Sequence, residues 1–126
     1  MAAAHPVFRV GGISYLRIPA VDPGASASFY EAVFGWSVRR DRDEPAFEDG
    51  TSHVIGHFVR SQKTAGEEGV RPYVFVERVD DTLERAVAHG AEVVEAPYPE
   101  GDLWVATIRD PAGNVVGVWQ TAPREP

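Results

Sequence analysis

The chain has 126 residues, 44% of them hydrophobic and 25% charged, which is enough for one globular domain or for two small modules that share a core. Its formal net charge of −7 argues against a nucleic-acid partner, because such partners require basic surfaces. The absence of cysteine excludes disulfides, thiolate nucleophiles and cysteine metal sites.

The N-terminal sequence and the hydropathy predict a cytoplasmic protein that does not associate with membranes. The first six residues, Met-Ala-Ala-Ala-His-Pro, lack the basic patch and apolar run of a signal peptide. No apolar stretch approaches the roughly 20 residues that a membrane-spanning helix needs.

Residues 13–60 are predicted to form a strand, a short helix and further strands joined by tight turns. Ile13–Ile18 alternates as a strand does, and Asp22 is suited to cap the free amides of a following helix. Gly35 can adopt the left-handed conformation that ends a helix. A strand from about His53 to Val59 completes this half.

Residues 71–120 repeat that order after a polar, glycine-bearing linker at residues 61–70. Asp80 is predicted to cap the second helix and Gly90 to end it. Residues 110–113, Asp-Pro-Ala-Gly, are typical of the turn of a final hairpin. Each half therefore has the order β-α-β-β-β, and the sequence predicts an α+β protein of two modules.

Two five-residue phrases strengthen the repeat. Residues 54–58 read VIGHF and residues 115–119 read VVGVW. Both phrases have the pattern hydrophobic, hydrophobic, glycine, any residue, aromatic, and both lie in the last strand of their half. Their matching places support a chain built from two copies of one module.

This order of elements, together with the phrases SFYEAVFGW at residues 28–36 and DPAGNVVGVWQ at 110–120, resembles the vicinal oxygen chelate superfamily. That superfamily includes glyoxalase I, bleomycin-resistance proteins and extradiol dioxygenases. The resemblance covers about Ile13 to Gln120 and implies one glyoxalase/bleomycin-resistance-like domain over residues 1–126. In it, two βαβββ modules curl into an open mixed barrel around a cleft. The resemblance also implies a homodimer.

Members of that superfamily that use a metal line the cleft with four ligand positions, filled by His, Glu or Gln. Carried over to this chain, these positions are Tyr15, Gly56, Arg71 and Gly117, and a slip of one residue would replace the second by His57. None of the four supplies the imidazole nitrogen or carboxylate oxygen that zinc, iron or nickel ions prefer. This departure from the ligand pattern of the superfamily predicts a cleft without a metal ion or other cofactor, and it leaves catalytic residues unassigned.

Strand alternation then predicts which side chains line the cleft once these positions face inward. Aromatic rings with two arginines and a carboxylate suit a small, partly aromatic or anionic ligand. Trp104 follows a loop rich in proline and glycine and is predicted to be either a lid or a dimer contact. The predicted ligand-binding residues are Tyr15, Arg17, Gly56, Phe58, Arg71, Tyr73, Phe75, Glu77, Trp104, Gly117 and Trp119.

The preferred interpretation is a protein that binds a small molecule in a metal-free cleft. One alternative is an enzyme of the lyase, isomerase or dioxygenase type, with a non-standard metal site or with Glu77 as a base. Another is a structural or partner-binding module whose cleft is filled by its own side chains. The sequence leaves open whether the protein is an enzyme.

Overall fold

The computed structural model of the protein describes residues 6–64 and 69–121. The chain divides into two compact units, unit 1 over Met1–Lys63 and unit 2 over Thr64–Pro126. Each unit contains one four-stranded mixed sheet and one helix. None of the described helices has the length and apolar character needed to cross a membrane.

Unit 1 has the element order predicted for the first half. Its elements are β1 (Tyr15–Pro19), α1 (Pro23–Phe34), β2 (Ser37–Arg39), β3 (Ala46–Glu48) and β4 (Ile55–Val59). The strand order is β1-β4-β3-β2, with β1 parallel to β4 and the other neighbours antiparallel. The crossover from β1 to its parallel neighbour β4 contains α1, which packs against one face of the sheet.

Local chemistry fixes both ends of α1 as predicted. The Asp22 side chain accepts a hydrogen bond from the Ala25 amide at 3.2 Å and so caps the first turn. Gly35 ends the helix with φ of 72°, a left-handed conformation in which a side chain would be strained.

Aromatic rings fill the space between α1 and its sheet. Tyr30 from the helix stacks on Trp36 with ring centroids 4.7 Å apart, and Trp36 stacks on Phe47 at 4.8 Å. Phe58 of β4 lies 5.0 Å from Phe47 and 5.5 Å from Tyr30, and it is fully buried. The core of unit 1 is thus a continuous aromatic stack.

Unit 2 repeats the topology with an aliphatic core. Its elements are β5 (Tyr73–Phe75), α2 (Val79–Ala88), β6 (Glu92–Glu100), β7 (Leu103–Arg109) and β8 (Val115–Thr121), in the sheet order β5-β8-β7-β6. Strand β5 is parallel to β8, and the other neighbours are antiparallel. The buried residues between α2 and the sheet include Leu83, Ala86, Ile108, Val116 and Val118.

The start of α2 differs from the prediction. Asp80 lies within the first turn, and the N-cap residue is Arg78, whose side chain makes no capping hydrogen bond. The Val79 amide instead donates to Gln120 Oε1 of β8 at 2.7 Å. Asp80 Oδ1 accepts from Trp104 Nε1 at 3.4 Å. A side chain of the neighbouring strand therefore satisfies the helix terminus in place of the predicted aspartate.

The turn at residues 110–113 forms as predicted. The Gly113 amide donates to the Asp110 carbonyl at 2.9 Å, and Gly113 has φ of 102°. The buried Asp110 carboxylate also accepts from the amides of Ala112 and Asn114. With these elements in place, the α+β class and the two βαβββ modules are confirmed.

Candidate functional site: the open sheet faces

Each sheet has a face turned away from its helix, and most predicted site residues lie on these two faces. The first open face belongs to unit 1 and carries Tyr15, Arg17, Ile55 and His57, since Tyr15 pairs with Ile55 and Arg17 with His57. The Tyr15 hydroxyl and His57 Nδ1 are 2.7 Å apart, and the Tyr15 side chain is 46% exposed. A phenol and an imidazole at this distance share a hydrogen bond accessible to solvent.

Gly56 and Phe58 do not lie on the first open face, so their predicted placement is wrong by one residue. Gly56 pairs with Leu16 on the helix side, where an added Cβ would come 2.0 Å from the Leu16 carbonyl oxygen and 2.6 Å from the Phe47 ring. Phe58 belongs to the aromatic core. His57 takes the place assigned to Gly56, as the one-residue slip allowed.

The second open face belongs to unit 2 and is organised in rows that run across the four strands. The central row is Glu95, Thr107, Gly117 and Tyr73, one residue from each strand in sheet order. Adjacent members are about 4.8 Å apart along the hydrogen-bonding direction. We call this the polar row.

A second row on this face is composed mostly of aromatic side chains. It contains Tyr98, Val105, Trp119 and Phe75, again one residue from each strand. Phe75 and Trp119 meet edge to face with ring centroids 4.8 Å apart, and Phe75 is 57% exposed. We call this the aromatic row, and it presents ring surface to solvent.

Charged residues lie on the other side of the polar row. Arg109 Nη1 is 3.2 Å from Glu92 Oε1, and the two residues are cross-strand partners. Arg71, two residues before Tyr73, has its Nη1 3.6 Å from Glu95 Oε1. Across the second open face, the side chains therefore change from charged, through the polar row, to the aromatic row.

Gly117 provides a hollow in this face that Tyr73 fills. A Cβ on Gly117 would lie 2.2 Å from two ring carbons of Tyr73, so the ring covers the glycine directly. Tyr73 is still 44% exposed. The absence of a side chain at position 117 thus lets an aromatic ring lie flat on the sheet beside the polar row.

Glu95 is the central residue of this face that the sequence analysis missed. Its Oε1 accepts a hydrogen bond from Thr107 Oγ1 at 2.7 Å, and Thr107 is fully buried. The pairing of β6 with β7 shifts register on both sides of Glu95, so simple alternation along β6 fails there. Nothing in the local sequence indicated that this carboxylate would face the predicted arginine.

The chemical environment of Tyr98 follows from the same cluster. Its pKa is raised above the usual tyrosine value by burial first, and then by the negative charges that Glu95, Tyr73 and Glu100 can carry. The positive charge of Arg71 opposes this rise. The Tyr98 phenol is therefore held in its neutral, hydrogen-bond-donating form.

Two further predicted residues lie elsewhere. Glu77 is exposed in the bend beyond the end of β5. Trp104 lies in β7, pairs with Gln120 and reaches Asp80 on the helix side of the strand, so it does not line the second open face, and its predicted role as a lid or a dimer contact stays a prediction. Six other predicted residues lie on or beside the open faces, and their role in binding a ligand stays a prediction: Arg17, Arg71, Tyr73, Phe75, Gly117 and Trp119.

The open faces offer a poor donor set for a metal ion. The ligand positions implied by the resemblance, with His57 in place of Gly56, hold one imidazole and one phenol in unit 1. In unit 2 they hold the guanidinium of Arg71 and the bare Gly117. Across residues 6–64 and 69–121, no three His, Asp or Glu side chains are grouped closely enough to hold one ion. The side chains present therefore do not fit a metal centre of the type that superfamily uses.

Comparison with protein-family models finds one match that spans most of the chain. The family described as a glyoxalase-like domain matches residues 16–119. No curated protein matches the chain in sequence.

Solved structures of similar fold cover nearly the whole chain at low sequence identity. A glyoxalase/bleomycin resistance protein/dioxygenase family enzyme from Burkholderia phytofirmans PsJN is 23% identical, with 86% of this chain and 98% of that chain covered and a TM-score of 0.71. TnmS3, an antibiotic binding protein from Streptomyces sp. CB03234, is 19% identical, with coverage of 91% and 99% and a TM-score of 0.71. The fosfomycin resistance protein FosX from Mesorhizobium loti is 16% identical, with coverage of 90% and 95% and a TM-score of 0.72.

Proposed function

Because the chain belongs to the glyoxalase-like domain family, we propose that it binds a small, partly aromatic or anionic molecule on its second open face without a metal ion. Structural neighbours named as an antibiotic binding protein and as a fosfomycin resistance protein support a small-molecule role. The observation that carries the proposal is the exposed ring surface of Tyr73 and Phe75 beside the guanidinium of Arg71.

Exposed aromatic side chains on a sheet face favour a flat partner. Phe75 is 57% exposed and Tyr73 44% exposed, and both lie on the same face of β5. Covering such rings with a ligand yields about 25 cal/mol per Å² of apolar area, and aligned rings add roughly 0.5–1.5 kcal/mol. Polar groups next to the rings fix the orientation of the ligand, as in most small-molecule sites.

A titration with two naphthalene derivatives tests the proposal. Naphthol and naphthoate are added separately to isotopically labelled protein, and backbone amide chemical shifts are followed. We expect at least one probe to bind with a Kd below about 1 mM and to shift amides of β5, β7 and β8. Failure of both probes to shift these amides would contradict the proposal.

Two exposed phenylalanines provide a matched pair of variants. Phe75→Ala removes a ring of the aromatic row and should raise the Kd about tenfold, because that ring contacts the ligand. Phe8→Ala removes a ring that is 75% exposed in unit 1 and should change the Kd less than about twofold. Equal effects of the two substitutions would exclude the second open face as the binding surface.

Metal independence is a separate part of the proposal, supported by the donor set at the expected ligand positions. The protein is incubated with zinc, nickel, manganese or anaerobic ferrous ions, desalted and assayed by elemental analysis. We expect less than about a tenth of an equivalent of each metal. A content near one equivalent that is lost in His57→Ala would refute the metal-free site and favour the enzyme alternative.

The hydrogen bond between Tyr15 and His57 supports a second candidate function, acid–base catalysis on the first open face. A phenol and an imidazole that share a hydrogen bond can pass a proton to or from a bound substrate. Glu77, the base named in the sequence analysis, is exposed and lies beyond β5, so it lacks comparable support. Loss of a turnover in Tyr15→Phe that is retained in Phe75→Ala would favour this candidate.

A homodimeric assembly and a cytoplasmic location complete the proposal. Phe8, Val10 and Ile13 of unit 1 are all more than 70% exposed, which supports a partner surface near the start of the chain. Light scattering of the eluting protein should give about twice the chain mass of 13.7 kDa. A mass equal to one chain at every concentration would exclude the dimer.

A further inference from the structure

On the second open face, the arginine that would bind an anionic ligand already has a carboxylate of the protein beside it. Glu95 Oε1 lies 3.6 Å from Arg71 Nη1 and accepts from Thr107 Oγ1 at 2.7 Å. The Arg71 side chain is only 28% exposed, so its charge is partly shielded from solvent. An incoming anion would approach Glu95 whenever it approached Arg71, and like charges at short range repel.

The other carboxylate oxygen of Glu95, Oε2, makes neither of these two contacts. Both contacts of the side chain are made by Oε1, and no group within residues 6–64 and 69–121 donates a hydrogen bond to Oε2. The Glu95 side chain is 49% exposed. Oε2 is therefore an acceptor that a ligand can reach without displacing Thr107 or Arg71.

We infer that Glu95 determines the specificity of this face for an uncharged aromatic ligand with a hydrogen-bond donor, such as a phenol, and against carboxylates. The inference rests on the proposed function and selects between the two ligand types that it allows. The donor hydroxyl bonds to Oε2 while the aromatic ring of the ligand covers the 44% exposed ring of Tyr73 and the partly buried ring of Trp119.

The dimensions of the face are compatible with this arrangement. Glu95 and Gly117 are two strands apart in the polar row, which separates their Cα atoms by about 10 Å. The Tyr73 ring lies over Gly117, so it marks the other end of that gap. The Glu95 side chain and a two-ring phenol together span such a distance. Hydrogen bonds to charged groups contribute roughly 1.5–3 kcal/mol, which corresponds to a preference of at least about tenfold.

Three probes that share one ring system distinguish the effect of a hydrogen-bond donor on binding from the effect of a negative charge. Naphthol donates a hydrogen bond, naphthyl methyl ether has no donor, and naphthoate carries a negative charge. Kd values from amide chemical-shift titrations near neutral pH should favour naphthol over both others by about tenfold. Tightest binding of naphthoate, or equal binding of naphthol and its ether, would overturn the inference.

Two isosteric variants test whether Glu95 itself sets the preference. Glu95→Gln keeps an acceptor for Thr107 but removes the negative charge 3.6 Å from Arg71, so naphthoate should bind about tenfold more tightly than to the wild type. Glu92→Gln removes the same charge from the same strand, where the residue pairs with Arg109, and should change the naphthoate Kd less than about twofold.

The outcomes for the inference and for the proposed function are distinct. If no probe binds the second open face, both the proposed function and the inference are refuted. If probes bind there but Glu95→Gln and Glu92→Gln affect naphthoate equally, the proposed function stands and the inference is wrong. A selective gain of naphthoate binding in Glu95→Gln supports the inference.

Discussion

The two units share one topology, yet most of their aromatic residues lie on opposite sides of the sheet. In unit 1 the rings of Tyr30, Trp36, Phe47 and Phe58 stack beneath α1. In unit 2 the space beneath α2 is aliphatic, while Tyr73, Phe75 and Trp119 lie on the open face. Aromatic residues therefore stabilise the first unit and form a surface on the second, which is why the second is the better candidate for binding.

The glycines of the last strands follow the same division. Gly56 pairs with Leu16 on the helix side and makes room for the buried Phe47 ring. Gly117 pairs with Tyr73 on the open face and makes room for that half-exposed ring. Each glycine lies on whichever face of its sheet carries the rings, since a side chain there would displace a ring.

The largest expected effect contrasts one phenylalanine from each unit. Phe58→Ala should lower the free energy of unfolding by about 4 kcal/mol, because Phe58 is fully buried in the aromatic stack. Phe75→Ala should lower it by less than about 1 kcal/mol, because that ring is mostly exposed. Urea denaturation followed by circular dichroism measures both values. Similar losses for the two variants would break the proposed division of roles.

The two glycines give the next largest contrast. Gly56→Ala should cost about 3 kcal/mol, since the new methyl group would meet the Leu16 carbonyl oxygen and the Phe47 ring in a packed region. Gly117→Ala should cost about 1 kcal/mol, since the Tyr73 ring can swing into solvent. The same denaturation experiment checks the stabilities. Gly117→Ala should also weaken naphthol binding, whereas an unchanged Kd would exclude the Tyr73 ring from the site.

The elements of the fold that depend on local chemistry were predictable from the sequence. Asp22 and Gly35 bound α1, and residues 110–113 form the expected turn, because these signals act within a few residues of the chain. The start of α2 was not predictable in the same way. Gln120, which satisfies the Val79 amide, is 41 residues away in sequence.

The residues of the candidate site were predictable only in strands where the first residue assigned to the open face was assigned correctly, because the remaining side chains follow by strand alternation. Tyr73, Phe75, Gly117 and Trp119 share a face as expected, because β5 and β8 pair without irregularity. In β4, matching Gly56 to Gly117 moved every side chain to the wrong face, since a shift of one residue inverts a strand. Glu95 was missed because β6 is irregular on both sides of it.

A smaller contrast of opposite sign concerns the loops before the last strands. Ser52 adopts φ of 65° in unit 1, while in unit 2 Gly113 adopts φ of 102°. Ser52→Gly should raise the free energy of unfolding by about 0.5 kcal/mol. This value is the gain from relieving the left-handed strain minus the loss of the Ser52 hydrogen bond to Glu48. Gly113→Ala should lower it by about 1 kcal/mol, since Thr64 leaves space for the methyl group and only φ is strained. Urea denaturation measures both changes in the free energy of unfolding. Two changes of the same sign would contradict the explanation.

The smallest effect is a pH dependence that belongs to unit 2. The pKa of Tyr98 is raised in the folded protein, chiefly by burial and then by Glu95, whereas an unfolded tyrosine titrates near 10. Below that pH both states are neutral at this residue. As the pH rises further, the unfolded chain loses its proton first, so the free energy of unfolding falls until the folded protein titrates as well. Tyr98→Phe should remove this part of the decline between neutral and alkaline pH.

Ultraviolet absorbance of tyrosinate, taken as the difference between the wild type and Tyr98→Phe, measures the titration directly. We expect the midpoint to lie above the value of an unfolded tyrosine, and a midpoint at or below it would contradict the environment derived for the second open face. Glu95→Gln should lower the midpoint, because one of the charges that oppose the phenolate is gone. Glu92→Gln should leave it unchanged, since Glu92 is not among the charges that act on Tyr98. A midpoint that responds to Glu95 and not to Glu92 would show that the Glu95 carboxylate acts electrostatically on the Tyr98 phenol beside the exposed rings. The described residues of unit 1 include no such cluster.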